Sequence, residues 1–553
     1  MFNTPVVWKS YKKETINRGY WDQAMLEDIF DKYDVTHLDD YPDTAYAIVV
    51  VIAARHHADM VDQINADLAR YKHVLLILTG DEEAVFPYDK LVHPNMKVWI
   101  QTPHMGKTGR ADRLIPNGWP PQIKMLKEYK AEADNRKLNW FFAGQVTHSR
   151  REKLVKNLRT MTGGQLIESP GFTKGIPHNE YYRHLANAKV APCPSGAVIP
   201  DSFRLYEALE AGCLPIADGK APNLDVEGYW EFLFGERPPF PILDSWKDIE
   251  GHVQYHVDVY PRTANRAFAW WQRKKLDMID NLQDDLRDLD LIANPLLKRD
   301  DETNSQNITV LVPTSPIKMH PDTTVIEETI KSIRDRLPNS RIILMFDGVR
   351  EEQADRRANY EEYIRRVLWL ANWEWDNVYP MIFDEHTHQA EMTRQALRHV
   401  RTDTILFVEH DTPLCEDIPF RELRWCVASN TFNVIRLHHE ALILPDHKHM
   451  MLDSEPQTYY GIPILRTAQW SQRPHLASTK FYRHILDTYF TDHAKTMIED
   501  GIHGKVAEAY RTRGLVGWNE FKVGIYAPKG DMKRSYHTDA RGQDSKFDET
   551  FIY

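Results

Sequence analysis

Short apolar runs alternating with amphipathic stretches set the rhythm of this chain. Residues 45–54 (AYAIVVVIAA) and 73–80 (HVLLILTG) read as strands, and about 57–71 between them reads as a helix. Residues 96–101 (MKVWIQ) continue this βαβ order, which predicts a doubly wound sheet. The segment 116–121 (PNGWPP) breaks the periodicity and predicts a turn or crossover. Beyond it, strands are expected at 138–144 (LNWFFAG), 165–168 and 190–192, with helices at about 149–160, 179–188 and from 202 onward. Two βα halves with a break between them predict a two-lobed α/β domain with its ligand in the cleft. Residues 260–291, rich in Trp, Arg, Lys, Asp and Leu at helical spacing, predict a closing helix able to cross back onto the first lobe.

Residues 298–306 (KRDDETNSQ) are wholly polar, the composition of a linker. The expected division is a first domain over 1–298, with lobes of about 1–120 and 121–298, a linker over 299–306 and a second domain over 307–553. The second domain restarts the rhythm with 308–313 (ITVLVP), a helix at about 325–336, 341–347 (RIILMFD), and a helix at 389–399 leading into 404–408.

Composition narrows the class. A chain of 553 residues exceeds one ordinary core, and 42% hydrophobic with 27% charged residues is the balance of a soluble globular protein. No apolar run reaches the roughly 18 to 20 residues that span a bilayer, and the N-terminus lacks the layout of a signal peptide, so a cytoplasmic location is expected. Cys193, Cys213, Cys415 and Cys426 are too widely spaced for a CxxC zinc site and too few for a disulfide framework. A net charge of −11 disfavours nucleic acid as a partner without excluding a local basic groove.

The stretch 404–417 (TILFVEHDTPLCED) carries the first candidate chemistry. Its apolar start predicts a buried strand, and Glu409, His410 and Asp411 fall at the carboxyl end, where open α/β sheets bind ligands. Hard oxygen donors there suit Mg²⁺ or Mn²⁺, held by one or two carboxylates while substrate phosphates complete the shell. Alone, the triplet is equally an ordinary acidic exit from a strand.

Residues 191–218 (APCPSGAVIPDSFRLYEALEAGCLPIAD) combine a small polar loop with a helix of pattern S-x-R-x-x-E-A and then G-C-x-P, through Ser202, Arg204, Glu207, Ala208, Gly212, Cys213 and Pro215. This resembles the C-terminal lobe of the exostosin-like glycosyltransferases, which have the two-lobed GT-B fold. The resemblance implies that this helix faces a nucleotide-sugar, with Glu207 on the ribose, Arg204 on the diphosphate, and Gly144, Arg150 and Arg151 in a second phosphate-facing loop. A helix N-terminus with an arginine one turn in suits phosphate. Without the longer match, Arg204 and Glu207 are an i to i+3 pair on an amphipathic helix.

The order of the second domain resembles the GT-A fold of family-2-like glycosyltransferases. That resemblance implies that Pro313 and Thr314 border the base, Asp347 contacts base or ribose, Arg394 approaches the nucleotide, and Asp411 holds the metal. Glu409-His410-Asp411 departs from the usual pair of aspartates, which leaves Glu409 a donor-site residue of less defined role. Glu499 and Asp500 in 496–505 (TMIEDGIHGK) resemble the pair that supplies the catalytic base of inverting members, with the base expected at Asp500. His537 in 533–541 (KRSYHTDAR) resembles the late histidine of the metal shell, and Lys533 and Arg534 stand ready to neutralise a leaving diphosphate.

The expectation is therefore a bifunctional, inverting glycosyltransferase: a GT-B domain followed by a GT-A domain, Mn²⁺ or Mg²⁺ in the second, nucleotide-sugar donors, and a glycan, protein or other hydroxyl-bearing acceptor. The alternatives are one catalytic domain with an acceptor-binding companion, a glycosyltransferase acting on modified DNA bases, and a non-catalytic carbohydrate-binding scaffold.

Overall fold

The computed structural model describes residues 4–12, 23–33, 35–171, 174–224, 227–289, 305–415, 418–437, 445–528, 535–536 and 538. The chain divides into two compact units, Met1–Lys298 and Arg299–Tyr553.

The first unit holds two parallel sheets. β1 (Thr4–Lys9), β2 (Val35–Leu38), β3 (Tyr46–Val51), β4 (His73–Leu78), β5 (Met96–Gln101) and β6 (Arg113–Ile115) form the first, in the order β2-β1-β3-β4-β5-β6. β7 (Leu138–Gly144), β8 (Gln165–Glu168), β9 (Ala188–Cys193), β10 (Leu214–Asp218) and β11 (Ile242–Leu243) form the second, in the order β11-β10-β9-β7-β8. Parallel strands covered on both faces need apolar side chains on both, and Ala47 to Val51 are all completely buried. In the second sheet the chain steps from β7 outward to β8 and then back to β9 on the other side, so a topological switch point, where such sheets bind ligands, falls between β7 and β9.

The helix expected over 57–71 is split: a 3₁₀ turn covers Ala54–Met60, His57 leaves helical geometry to reach the Ile52 carbonyl at 3.1 Å, and the α-helix runs Val61–Leu68. The 27-residue helix Arg262–Asp288 braces both sheets. Its buried Asp285 accepts from Trp99 Nε1 at 2.8 Å and Arg113 Nε at 2.7 Å, on β5 and β6, while its Trp271 and Lys275 donate to Glu210 at 2.7 and 2.6 Å.

The second unit has one mixed sheet. β12 (Ile308–Thr314), β13 (Arg341–Phe346), β14 (Val378–Ile382) and β15 (Thr404–Phe407) are parallel in the order β14-β13-β12-β15. The sheet continues through β19 (His475–Ser478), β16 (Val434–Leu437), β20 (Val523–Tyr526), β18 (Ile462–Arg466) and β17 (Gln457–Tyr459), with β19 antiparallel to β15. Here the switch point lies between β12 and β15. None of the four cysteines is in a disulfide, and among the described residues no helix is long and apolar enough to cross a membrane.

Candidate functional site

At the β7/β9 switch point of the first unit lies a cavity of about 340 Å³. The second sheet contributes Gly144, Arg151, Tyr181, Tyr182, Ser202, Arg204 and Glu207, while Glu82, Asn117 and Pro120 reach it from loops of the first. Five residues that the sequence marks for the donor therefore meet on one wall: Gly144, Arg151, Ser202, Arg204 and Glu207.

Arg204 sits in the first turn of the helix Phe203–Glu210, lies over the Phe142 ring at 4.8 Å and donates to the Ala143 carbonyl at 2.7 Å. A Cβ at position 144 would collide with its guanidinium, so glycine is required for this approach. Arg151 donates to the Ser195 carbonyl through Nη2 at 3.1 Å and Nε at 3.3 Å. Burial, and then the charge of Arg204 beside it, pull the Arg151 guanidinium down to about 9. Neither arginine makes a salt bridge with a carboxylate among the described residues. Two packed guanidiniums and a helix N-terminus thus concentrate positive potential on one wall.

Glu207, one turn further along, is buried, and burial raises its carboxyl above the usual range. Tyr181 donates to its Oε2 at 2.7 Å and Tyr182 to its Oε1 at 3.0 Å. A carboxylate has about four acceptor sites, so two remain for a ligand's hydroxyls. Ser202 Oγ donates to the Pro194 carbonyl at 3.3 Å and fixes the loop leading into the helix.

Arg150 behaves differently from its neighbour. It is paired through two nitrogens with the fully buried Asp218 and donates to the Asp244 carbonyl at 3.1 Å, and it does not line the cavity. Asp218 also accepts from Ser195 N at 3.2 Å and Trp246 Nε1 at 3.1 Å. The pair is a strut under the loop that carries the Ser195 carbonyl.

Sequence reasoning missed Asp201, Tyr181 and Tyr182. Asp201 Oδ2 accepts from Asn117 N at 2.9 Å across the cleft, and burial, with Glu82 adding, pushes its carboxyl up to about 7. Its only sequence signal was its place directly before Ser202.

In the second unit, Glu409 and Asp411 lie just past β15. Thr412 closes the turn by donating to the Glu409 carbonyl from N at 3.1 Å and Oγ1 at 3.0 Å, and Thr538 donates to the Asp411 carbonyl from N at 2.9 Å and Oγ1 at 3.0 Å. His537 lies outside the described residues, as do Lys533 and Arg534. Gln389 links two elements: its Nε2 donates to Glu409 Oε1 at 3.1 Å, and its Oε1 accepts from Ile498 N at 3.1 Å at the start of the helix Ile498–Arg513. Glu409 is pushed up to about 8, first by burial, then by the charge of Asp411, with Glu499 adding and Arg473 opposing. Glu499 is half-buried and accepts from Gln472 N at 2.8 Å, whereas Asp500 is exposed.

A crowded carboxylate pair of this kind fits a hard divalent cation, which would remove the repulsion that now favours protonation. Among the described residues no three histidine, cysteine or carboxylate side chains converge to hold a metal, so the fit is to a cation sharing its shell with a phosphate ligand.

The remaining expected donor residues are engaged within the fold. Asp347 Oδ1 accepts from the backbone of Gly348, Thr387 and His388 at 2.8, 2.7 and 3.2 Å, and His386 Nδ1 lies 2.9 Å from its Oδ2. Thr314 is buried, its carbonyl accepting from Tyr360 at 3.4 Å, and Pro313 is buried beside it. Arg394 donates to Glu391 at 2.6 Å and to the carbonyls of Leu486, Phe490 and Thr491 at 2.8, 3.1 and 3.3 Å, tying the helices His388–Leu397 and Thr479–Tyr489 together.

No protein family and no curated protein matches the sequence. Among solved structures, S. aureus TarS 1–349 in complex with UDP-GlcNAc is similar at 14% identity and a TM-score of 0.27, over 43% of this chain and 60% of that one. The mannosyltransferase PcManGT from Pyrobaculum calidifontis, in complex with GDP-Man and Mn²⁺, is similar at 13% identity and a TM-score of 0.24, over 40% of this chain and 57% of that one. The bifunctional IspDF from Campylobacter jejuni is similar at 11% identity and a TM-score of 0.23, over 41% and 51%. This chain thus spans less than two thirds of each of these three structures, and at such scores the similarity carries no weight for function.

Proposed function

We propose that the chain is a nucleotide-sugar-dependent glycosyltransferase with a separate donor site in each unit. The observation that carries this reading is the first-unit cavity, where Arg151 and Arg204 lack a carboxylate partner among the described residues while Glu207 stands one helical turn away. A nucleoside diphosphate has the matching layout, an anionic diphosphate beside a ribose diol. The arginines and the helix N-terminus hold the diphosphate and stabilise it as it leaves, and Glu207 accepts hydrogen bonds from the ribose hydroxyls. Tyr181 and Tyr182 keep the Glu207 oxygens aimed. Arg150 supports the loop through Asp218 and touches no donor.

In the second unit, Asp411 with Glu409 would hold Mn²⁺ or Mg²⁺. When bound, the cation supplies charge neutralisation to a departing diphosphate. Gln389 keeps Glu409 in register with the Ile498–Arg513 helix, whose first turn presents Asp500 to solvent as the base for an acceptor hydroxyl, with Glu499 anchored behind it. Pro313, Thr314 and Asp347 shape the floor of this site, and Asp347 does so by fixing the loop that leads into the His388–Leu397 helix.

Calorimetric titration of the full-length protein with UDP and with GDP, in chelator, tests the first site. Replacing Arg204 with Ala removes charge-assisted hydrogen bonds worth about 1.5–3 kcal/mol each, so affinity should fall by roughly 10- to 100-fold. If wild-type protein binds neither nucleotide, or Arg204→Ala binds as tightly, the donor assignment is wrong.

A further inference from the structure

Three carboxylates line the first-unit cavity, and two of them are already committed. Glu207 is held by Tyr181 and Tyr182 and faces the donor. Asp201, only 2% exposed, accepts from Asn117 N at 2.9 Å and has the Tyr206 hydroxyl on its other side, so it pins the loop ahead of the Phe203–Glu210 helix to the opposite sheet. The third is Glu82, which comes from the first sheet, is half-buried and keeps surface in the cavity.

The loop that presents Glu82 is fixed by its neighbour. It follows β4, a central strand of the first sheet, and so stands at the carboxyl end where such sheets bind ligands. Asp81 is buried and accepts from Val85 N at 2.9 Å, Phe86 N at 3.0 Å and the Tyr88 hydroxyl at 2.6 Å. These bonds hold Ala84 at φ +50°, a left-handed conformation that a residue with a Cβ seldom adopts. Across the cleft, the Glu82 Oε2 lies 3.8 Å from where a Cβ on Gly196 would stand. Gly196 adjoins Ser195, whose carbonyl takes Arg151 Nη2 at 3.1 Å. The carboxylate is therefore held on the arginine side of the cavity, opposite the wall that carries the donor residues.

We infer that Glu82 is the general base of the first unit, taking the proton from the hydroxyl that attacks the donor sugar. This inference rests on the donor reading of the same cavity. The sugar of a nucleotide-sugar hangs from the outer phosphate, so an acceptor approaches beside the arginines and away from the ribose at Glu207. A carboxylate fixed there meets the acceptor hydroxyl with little reorganisation. The acceptor oxygen forms the new bond to the anomeric carbon as its proton passes to Glu82. The bond from that carbon to the diphosphate oxygen breaks, and the nucleoside diphosphate leaves with the electron pair, held by Arg151 and Arg204. Protonated Glu82 then returns its proton to water. Attack from the side opposite the leaving group inverts the anomeric centre.

The test uses the full-length protein in chelator. Nucleoside diphosphate release into water and into glycerol is measured from UDP-glucose, UDP-GlcNAc and GDP-mannose, and release abolished by Glu207→Ala is taken as the first unit's activity. Glu82→Gln should bind UDP or GDP within about twofold of wild type and lose roughly 10²- to 10⁴-fold in turnover. Glu82→Asp keeps a carboxylate on a shorter arm and should turn over roughly 10-fold or more faster than Glu82→Gln. A role confined to bracing the cleft gives the reverse order, because the amide keeps the length and hydrogen bonding of glutamate and the shorter acid does not. Turnover in Glu82→Gln equal to or above that in Glu82→Asp overturns the assignment. So does a Glu82→Gln variant that does not fold, which would mark a structural carboxylate, and so does wild-type protein that binds nucleotide but releases none from these donors. Each of these leaves the donor site intact. Failure of wild-type protein to bind either nucleotide removes the donor reading and this inference together.

Discussion

Arg150 and Arg151 are adjacent in sequence and do opposite work. Successive residues on a helix point about 100° apart, so one arginine turns under the loop to Asp218 and the other faces the cavity. Removing Arg150 leaves Asp218 charged and fully buried, a loss of the kind that costs about 3–5 kcal/mol. Arg150→Ala should therefore lower the unfolding midpoint of the first unit, whereas Arg151→Ala should weaken nucleotide binding with a much smaller effect on stability. Denaturant unfolding and nucleotide titration of both variants check this, and equal stability losses would remove the distinction. The motif 142–151 (FAGQVTHSRR) marked both residues for phosphate because sequence shows which residue types are near a loop but not which way each turns. Asp201 was hidden for the same reason. It is buried and held by a partner 84 residues away, and neither leaves a trace in local pattern.

Most strands that the sequence predicted are apolar runs buried on both faces: β3, β4, β5, β7, β9, β12, β13 and β15 all coincide with the expected segments within a few residues, and the partly exposed β8 does so as well. Several strands of the second unit with polar positions were not read. β16 carries a buried arginine, Arg436, whose Nη1 donates to Gln469 Oε1 at 3.1 Å, and β17 is exposed at Gln457 and Thr458. β19 shows how such a strand is held. His475 in its first position is fully buried, donates from Nδ1 to the Arg473 carbonyl at 2.7 Å, and accepts at Nε2 from Tyr482 at 3.0 Å. Burial holds this imidazole neutral, down to about 4. Its folded value lies below the ordinary 6.5, so the stabilisation is present above pH 6.5 and is lost as pH falls toward 4, by up to about 3 kcal/mol. The second unit's unfolding transition should weaken between pH 7 and 5, and His475→Gln should flatten that dependence. An equally steep pH dependence in the variant would place its origin elsewhere.

At the scale of the whole molecule, two compact units each carry a switch point at the carboxyl ends of parallel strands, and the two are chemically unlike. One is lined by two guanidiniums that have no carboxylate salt bridge among the described residues and by a buried Glu207, the other by Glu409 and Asp411 with Glu499 and Asp500 nearby. A metal chelator should consequently silence the second site and spare the first. Glu207→Ala should abolish only the first unit's transfer, and Asp500→Asn only the second's, because the amide keeps the carboxylate's shape but cannot take a proton. If the two transfers act in sequence on one acceptor, the variant lacking the second step will accumulate a singly glycosylated product and the variant lacking the first will leave the acceptor bare. Mixing the two folded variants should then restore the full product, since neither site needs the other in the same chain. Mass spectrometry of the acceptor reads each case. Loss of both transfers in each variant, with no recovery on mixing, would mean a single composite activity in which both sites serve one reaction.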